Sequence, residues 1–451
     1  MLTPSDNARL TRVGPGTPMG QLMRRYWIPA VLTEEIVEPG GAPVRVGLLG
    51  EALVAWRDPA GTVGLMKEHC PHRGASLFYG RNEAGGLRCL YHGWKMSERG
   101  AIVDTPAEPA GSAIRNRLRH PPYPTREAGG IVWAYLGPPE LEPVFPDYPW
   151  MHLPKEQLLV VKMHQACSYL QGVEGDLDPA HPNYLHQDFS QLGDSWDGAG
   201  WNSIAQLMHD GAPKIHCEKT PHMMRVVATR TTRSASHHYV RTTEWVAPFY
   251  CLTASGPGES RAFKAWQPID DHQCFTFYIH YDPFKPLDVP AIHRNWNHHT
   301  EPPHYRTPHT LANGHLQDRS AMRDRNYSGI AGAAIQDRAV QESMGTIYDR
   351  TQEHLGVSDT AVVFYRRYLL ALTRDAEAGR PLPGQDPALS FDLHSASLTV
   401  PASASGTDAV AIQRDLEAEA LAAARGRGVA GRIAPRLPGL EEGTTGQRTG
   451  E

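Results

Sequence analysis

The stretch KEHCPHRGASLFYGRNEAGGLRCLYHGW, residues 67–94, contains two Cys-His pairs separated by sixteen residues. Cys70 and His72 form the first pair, and Cys89 and His92 form the second. Two thiolates and two imidazoles bind either a tetrahedral zinc ion or a [2Fe-2S] cluster in which His replaces Cys on one iron. Structural zinc sites usually group their cysteines and their histidines separately, whereas each loop here supplies one of each. The spacing favours the cluster over zinc and over four unligated buried residues.

The composition is that of an ordinary multidomain protein. The chain has 451 residues, a formal net charge of −5 and six cysteines. This length predicts two or three domains, and the charge leaves no broad basic field for nucleic acid. The sequence shows neither a secretory signal pattern nor a run of about 18 apolar residues, so we expect a cytoplasmic protein without a membrane span. The four cysteines outside the motif are expected to be reduced thiols: Cys167, Cys217, Cys251 and Cys274.

Short strand patterns surround the two Cys-His loops. A helix is predicted over 17–27, and β-rich runs follow over 44–49, 53–56, 63–66, 101–103 and 130–136. We therefore expect residues 1–155 to form an N-terminal helix and a small antiparallel β domain that presents the loops. The Pro-rich segment 138–154 would be the linker to the next domain.

The second domain, residues 156–400, shows strand patterns separated by helical ones. Strands are predicted over 224–231, 239–245, 261–267 and 274–280, and helices over 336–355 and 361–378. The segment 282–329 has little periodicity and is expected to cover an active site or to contact another subunit. Residues 401–451 are predicted to form a helix over 407–425 and a disordered tail beyond 427.

A second metal motif lies in QGVEGDLDPAHPNYLHQDF, residues 171–189, where Asp178, His181 and His186 come close in sequence. Two His and one carboxylate on one face of an iron form the facial triad of Fe(II) oxygenases. Residues five apart point about 140° apart on a regular helix, so both imidazoles reach one metal only if the helix is distorted. Pro182 supplies a reason for such a distortion.

The two motifs together carry a family resemblance. C-P-H-R-G followed by C-x-Y-H-G-W resembles the Rieske cluster motif, and residues from about Leu10 to about Asp359 resemble the oxygenase components of Rieske non-haem iron oxygenases. The likeness is to the phthalate 4,5-dioxygenase-like branch, which also includes aryl O-demethylases and chlorobenzoate or phenoxybenzoate oxygenases. It implies an α+β fold: a small antiparallel β Rieske domain and a helix-grip catalytic domain, an antiparallel sheet wrapped with helices.

The resemblance also assigns roles to residues. It makes Asp337 the third iron ligand beside His181 and His186. Glu342 would be a fallback ligand or a neighbour of the site. The alternative for Asp337 is an ordinary acid near a helix N-terminus. It makes Asp178 a bridge between His92 of one subunit and His181 of the next, in a head-to-tail trimer or stacked trimers. Otherwise Asp178 caps its own helix.

One departure from the family pattern lies just before the first iron histidine. Some relatives place an Asn near the iron there, whereas this chain has Glu174-Gly175-Asp176. The departure leaves the iron ligands in place and puts in doubt only the role of an amide at that position.

The resemblance implies a terminal oxygenase that hydroxylates an aromatic carboxylate with O2. The chain shows no G-x-G-x-x-G motif after a strand, so NAD(P)H must be oxidised by a partner, a flavin/iron-sulfur reductase or a ferredoxin system. Phthalate-like ring dihydroxylation is the first expectation, and aryl O-demethylation is the alternative. Two alternatives belong to other functional classes: a Rieske electron carrier and a zinc-binding structural protein. Arginine suits carboxylates, and the candidates on predicted strands are Arg225, Arg230 and Arg241.

Overall fold

The Cys-His loops connect short antiparallel strands in the N-terminal part of the chain. The computed structural model describes residues 2–189, 207, 209–232 and 235–427. The N-terminal strands are β1 Trp27–Leu32, β2 Val44–Leu48, β3 Glu51–Arg57, β4 Val63–Lys67, β5 Arg81–Glu83, β6 Gly86–Arg88, β7 Lys95–Met96, β8 Ile102–Asp104, β9 Thr125–Ala128 and β10 Ile131–Tyr135. They pair as the antiparallel sheets β1-β10-β9, β2-β3-β4 and β5-β6-β7-β8. The first loop follows β4, and the second joins β6 to β7.

The remaining strands form one eight-stranded antiparallel sheet. Its order is β11-β17-β16-β15-β14-β13-β12, and β18 pairs with β14. The strands are β11 Leu158–Gln165, β12 Lys214–Thr220, β13 Met223–Thr231, β14 His237–Val246, β15 Tyr250–Leu252, β16 Arg261–Pro268, β17 Cys274–Tyr281 and β18 Ser397–Pro401. The helices are α1 Pro4–Thr11, α2 Pro18–Met23, α3 Ile114–Arg117, α4 Tyr169–Leu177, α5 Val289–Trp296, α6 Ala333–Ser343, α7 Thr360–Glu377 and α8 Gly406–Arg427. The predicted α+β class, a small antiparallel β domain plus an antiparallel sheet wrapped with helices, is confirmed.

The two faces of the large sheet are covered by different helices. Val240 on β14 packs in a hydrophobic cluster under α8. Because successive strand residues point to opposite faces, Arg241 points to the other face, which we call the inner face. Lys264 and Trp266 on β16 share the inner face, since β14 and β16 are in register through β15. The helix α4 packs there too, because a Cβ at Gly172 would meet the Trp266 ring.

Several predicted boundaries were wrong. The helix predicted over 17–27 ends at Met23, since Trp27 begins β1, whose six residues are all buried against β10. This helix packs on α7. The helix predicted over 336–355 ends at Ser343, because Gly345 takes φ +91°. Val340 and Met344, near the end of this helix, are exposed.

The segment 282–329, three strands and the C-terminal helix complete the comparison of predicted and observed elements. Segment 282–329 contains α5 and 3₁₀ turns at Leu311–Leu316 and Ala321–Arg323, which the sequence did not predict. The helix predicted over 407–425 lies within α8, and β12, β15 and β18 were missed. The tail predicted beyond 427 lies outside the described residues. Within the described ranges, no helix combines the length and apolar character that a membrane crossing requires.

Candidate metal centres

The first candidate centre is the pair of loops that the sequence singled out. Cys70 and Cys89 are both 3% exposed and lie in one hydrophobic cluster of the small domain. The rings of His72 and His92 are 4.6 Å apart between centroids. The two loops close in the same way: Gly74 N–H donates to the Cys70 carbonyl, and Gly93 N–H to the Cys89 carbonyl. Both glycines have φ near +75°, a conformation that side chains rarely adopt.

The size of this donor set argues against a single zinc ion. Tetrahedral zinc with these ligands holds its donor atoms about 3.3–3.8 Å apart. Among the described residues, the four motif residues do not form a group whose donors all lie within 4.8 Å of one another. A two-iron cluster spreads its thiolates and imidazoles over two metals and fits the wider arrangement. Burial of the thiols also raises the pKa of Cys70 to about 11, with Cys89 adding to the effect, so a bound cation is needed to stabilise two thiolates there.

The second candidate centre brings together three residues that are far apart in sequence. His181, His186 and Asp337 offer donor atoms that all lie within 4.8 Å of one another. The Asp337 Oδ1 atom is 3.6 Å from His181 Nε2 and 3.1 Å from His186 Nε2. Neighbouring ligands of one metal with bonds of about 2.1 Å stand about 3 Å apart. Two imidazoles and one carboxylate in this arrangement fit the facial triad that binds Fe(II).

The local backbone explains how two histidines five residues apart face the same point. The helix α4 ends at Leu177, and a 3₁₀ turn, His181–Asn183, follows. His181 and His186 therefore do not lie on one regular helix, and the angle of about 140° does not apply. Pro182 lies inside this turn, as the sequence suggested. Asp337 comes from the first turns of α6, which packs beside α4.

Each imidazole is oriented through its second nitrogen. His181 Nδ1 donates to the backbone carbonyl of Asp178, 2.9 Å away, and His186 Nδ1 donates to Gln336 Oε1, 2.7 Å away. Gln336 is itself held, because its Nε2 donates to Ser328 Oγ and to the Ile330 carbonyl. These contacts fix the tautomer that leaves each Nε2 free to bind a metal. Sequence reasoning missed Gln336, although it directly precedes Asp337.

The electrostatics of the second centre favour a carboxylate anion. Asp337 is buried, which by itself would raise its pKa, but His186 and Lys264 hold that pKa well below the usual value. The same contact with Asp337 raises the pKa of His186 despite its burial. Lys264 is an inner-face residue whose Nζ donates to Asp176, 2.5 Å away. The centre thus carries an ionised carboxylate beside two imidazoles, the charge pattern that a divalent cation requires.

Asp178 lies at the edge of this centre rather than inside it. Its Oδ1 accepts from Ala180 N–H at 2.7 Å, and its Oδ2 lies 3.6 Å from His181 Nδ1. About a quarter of its side chain is exposed. His92 belongs to the small domain and makes no contact with Asp178 in the described part of this single chain. Asp178 is therefore positioned next to an iron-ligand candidate with one side open to another molecule.

The structure removes Glu342 from the set of ligand candidates. Glu342 accepts from the Ala166 N–H and from His315 Nε2, and it pairs with Arg338, so it is not directed at the triad. Its expected role as a fallback ligand is wrong.

Glu174, in the segment where some relatives have an Asn, is held by two arginines. Glu174 accepts from Arg350 and Arg366, and both guanidinium groups are buried. Burial would raise the pKa of Glu174, but the two arginines hold it below the usual value. Glu174 thus ties α4 to α7 instead of pointing to the iron ligands.

The three arginines proposed for substrate binding have different environments. Arg225 lies on the outer face and pairs with Glu218 and Glu244, so it does not line the iron side of the sheet. Arg230 and Arg241 lie on the inner face, on neighbouring strands. Arg230 is fully buried and donates to the Asp210 and Pro179 carbonyls and to Asn183. Arg241 is half-buried and has no ion pair with any described residue.

Arg230 is a buried cation without a carboxylate bonded to it. Its Nη1 has no hydrogen-bond partner among the described residues. Burial, with the nearby charge of Arg241, lowers the pKa of Arg230 to about 10. A buried guanidinium with an unused donor is costly unless an anion joins it. Arg230 therefore adds positive charge to the inner face beside the segment that carries His181.

Two protein-family models and several known proteins are similar to this chain. The Rieske [2Fe-2S] domain family matches residues 26–123, and the family described as LigXa C-terminal domain like matches residues 134–411. The chain is 40% identical to the phthalate 4,5-dioxygenase oxygenase subunit of Pseudomonas putida, over 85% of this chain and 89% of that protein. It is 36% identical to the 3-chlorobenzoate-3,4-dioxygenase oxygenase subunit of Comamonas testosteroni, over 85% and 91%. The crystal structure of dicamba monooxygenase bound to dicamba shares the fold, with a TM-score of 0.55 and 20% identity, over 79% of this chain and 99% of that one.

Proposed function

Because this chain belongs to the Rieske non-haem iron oxygenases, we propose that it hydroxylates an aromatic carboxylate with O2, using electrons from NAD(P)H that a separate reductase delivers. The observation that carries the proposal is the convergence of His181, His186 and Asp337 in a chain that also has the Rieske domain. An electron carrier needs no second metal centre. Ring dihydroxylation of a phthalate-like acid is the preferred reaction, since both relatives named above are dioxygenases of aromatic acids.

The chain's own residues would hold and orient the two metal groups. Cys70, His72, Cys89 and His92 would bind the [2Fe-2S] cluster, and the His-His-Asp triad would bind Fe(II). When bound, these groups supply one-electron transfer and O2 activation. The carbonyl of Asp178 and the amide of Gln336 keep the iron-facing nitrogens unprotonated, which is the form that binds a metal.

Substrate recognition is assigned to the arginines of the inner face. Arg241 is half-buried and free of a carboxylate partner in the described ranges, and Arg230 stands beside it with an unused Nη1 donor. A guanidinium binds a carboxylate through two parallel hydrogen bonds, which orients an attached ring. We assign Arg241 to the substrate carboxylate and Arg230 to the support of the segment that carries His181. Arg225 is not assigned to the substrate.

A head-to-tail ring of subunits is proposed to bring the two kinds of centre together. Leu90 and Tyr91, next to His92, are 61% and 56% exposed. Near the triad, Tyr184 and Tyr327 are 58% and 49% exposed, and their rings are in contact. Exposed apolar groups of this size support a subunit contact between two different surfaces, the arrangement that closes as a trimer. His92 of one subunit would then meet Asp178 of the next.

The electron donor and the location are proposed from chemistry. A flavin/iron-sulfur reductase, with or without a ferredoxin, would oxidise NAD(P)H and pass single electrons to the cluster. The four cysteines outside the cluster motif are all free, and three of them are buried. Free thiols support a reducing compartment, the cytoplasm.

Metal analysis and product analysis test the proposal together. We expect about three iron atoms per chain, a Rieske EPR signal after reduction, and cis-diol formation from phthalate, isophthalate or chlorobenzoate with a reconstituted reductase. Formaldehyde from methoxybenzoates would instead assign O-demethylation. About two iron atoms with no O2 consumption would refute the oxygenase and leave an electron carrier.

Asp178→Asn tests the proposed route between subunits. The amide keeps the shape of the side chain and removes the negative charge that lies 3.6 Å from His181 Nδ1 and that would accept from His92 of the next subunit. We expect both metal centres to remain occupied while turnover with reductase falls by a factor of 100 or so, in line with the upper effect of losing such a partner. Turnover close to that of the unmodified protein would show that electrons do not pass by Asp178.

A further inference from the structure

Both reactions considered above consume protons beside the triad. Ring dihydroxylation combines an aromatic ring, O2, two electrons and two protons into a cis-diol, whose O–H bonds take the protons. O-demethylation also takes up two protons, one into the phenol and one into water. Because Asp337 is buried, these protons need a route from the surface to the inner face of the sheet.

Four histidines form a continuous set of contacts from the surface inward. The ring of His299, which is exposed, stacks on the half-buried ring of His293, with 4.1 Å between the centroids. The ring of His298 follows at 5.2 Å from His293 and is fully buried. His298 Nε2 is 2.9 Å from Nε2 of His280, which is 3% exposed. We call these four residues the histidine row.

The inner end of the histidine row lies beside the turn that carries Asp337. Tyr278 and His280 on β17 share the inner face with Lys264, because Tyr278 is the partner of Lys264 in the β16–β17 register. The rings of Tyr278 and His280 are parallel, with 6.4 Å between the centroids. Tyr278 packs in one buried cluster with Ile335 on α6. Asp337 is two residues further along that helix, so the row ends on the iron side of the sheet.

Two neighbouring imidazoles in the row each have a buried nitrogen without a hydrogen bond. His293 Nδ1 and His298 Nδ1 find no partner among the described residues. Such atoms are costly when they stay unsatisfied, and an ordered water commonly bonds to them. One water between the two rings would join both atoms. Each neutral imidazole has one protonated and one bare nitrogen, so it can accept a proton on one side and donate one from the other.

The histidine row is suited to protons rather than to a metal ion. Within the described ranges, no three of its members bring their donor atoms within 4.8 Å of one another. Burial lowers the pKa of His280, and burial with the nearby charge of His293 lowers the pKa of His298 to about 3. At pH 7 a group with this pKa is protonated in about one molecule in 10⁴. A turnover of about 10 per second tolerates that fraction, because barrier crossing is attempted about 6 × 10¹² times per second.

We propose that the histidine row carries protons from the surface at His299 to the iron side of the sheet at His280. This inference rests on the proposed function, since it supplies the protons of that reaction, while the electrons come from the cluster. In each transfer one N–H or O–H bond breaks and one forms on the next acceptor. The proton would reach His298 at Nδ1, pass from its Nε2 to Nε2 of His280, and leave from His280 Nδ1 to water beside the triad. His280 Nδ1 is available for this step, because it has no hydrogen bond to any described residue.

Single-turnover product formation in H2O and in D2O tests the histidine row. Chemically reduced holoprotein is mixed with O2 and with whichever of phthalate, isophthalate and 3-chlorobenzoate the unmodified protein converts. The variants are His298→Gln and His293→Gln, because an amide keeps hydrogen bonds but does not accept a proton on one side and release one from the other. His293 is half-buried, so its variant tests the row even if the His298 variant does not fold. The control is His164→Gln, which removes a half-buried histidine that is hydrogen-bonded to Gln273 and lies on the outer face of β11.

Both row variants are expected to form product about tenfold more slowly or worse, a smaller loss than the roughly 10²–10⁴ of a general acid that touches the substrate. The ratio of the rate in H2O to the rate in D2O should rise in these variants, because proton transfer then limits turnover. The control should stay within twofold in both solvents. A structural role alone would slow product formation equally in H2O and D2O, so an unchanged ratio would overturn the proposal. Row variants with rates within twofold of the unmodified protein would overturn it as well.

A crystal structure of the holoprotein gives a readout that does not depend on turnover. An ordered water is expected within hydrogen-bond distance of both His293 Nδ1 and His298 Nδ1. Two unbonded nitrogens with no water between them would break the row and overturn the proposal. Failure of the proposed function is recognised separately, since the unmodified protein would then form no product from any of the three acids. Product from the unmodified protein with unaffected row variants would keep the oxygenase and refute the row.

Discussion

Gln336→Leu is expected to weaken iron binding without touching a metal ligand. His186 Nδ1 donates to Gln336 Oε1 at 2.7 Å, and Gln336 is 6% exposed, so no water easily replaces the lost acceptor. Leucine has a similar volume but accepts nothing, and the imidazole is then free to rotate or to change tautomer. Loss of such a partner typically lowers metal affinity by a factor of 10–100, or about 1.4–2.8 kcal/mol. The assay is Fe(II) titration of protein that retains its cluster but has had the mononuclear iron removed.

Gln341→Leu is the matched control. Gln341 lies on the same helix, is 4% exposed, and accepts from Gln165 at 2.5 Å instead of from a triad histidine. Both changes remove one buried amide, so both should lower the thermal midpoint by similar amounts. Only the first should raise the dissociation constant for iron. Binding within twofold of the unmodified protein for Gln336→Leu would refute the assignment, as would an equal loss in the control.

Three further predictions follow from single contacts. Asp337→Ala should remove the anion of the triad and reduce iron from about three to about two atoms per chain, with the Rieske EPR signal unchanged. Arg241→Gln should raise KM for the aromatic acid by roughly 10- to 100-fold and much less for its methyl ester, whereas Arg225→Gln should leave both unchanged. Glu174→Gln should leave Arg350, which is fully buried, short of its counter-charge and cost about 3–5 kcal/mol in urea unfolding. Since the pKa of Glu174 is held below its usual value, its contribution is present above about pH 4.5 and is lost as pH falls through the folded pKa, so the variant should lose stability less steeply in acid.

The parts of the site that share a short stretch of sequence were predictable, and the parts that depend on distant strands were not. Cys70 and His72, like His181 and His186, lie within a few residues of each other, and short loops fix their relation. Asp337 came only from the resemblance, because nothing in its local sequence separates a ligand from an acid at a helix start. Gln336 was missed for the same reason: its partner, His186, is 150 residues away.

The arginines show what a strand pattern fails to decide. Arg225 and Arg230 lie on one strand an odd number of residues apart, so they must point to opposite faces of the sheet. Strand alternation alone requires that Arg225 and Arg230 lie on opposite faces. It does not show which face holds the iron ligands, since that depends on where α4 and α8 pack. Once Gly172 brings α4 against Trp266, the inner face is defined, Arg225 is excluded, and Arg230 and Arg241 become neighbours. The acidic residues also differ between the two faces. Glu244 and Glu218 form ion pairs with Arg225 on the outer face, whereas Arg241 on the inner face has no such partner among the described residues. The face that carries the triad thus has an arginine without an ion pair, and the opposite face has a paired one. This difference is expected if the anion that binds the first arginine is the substrate.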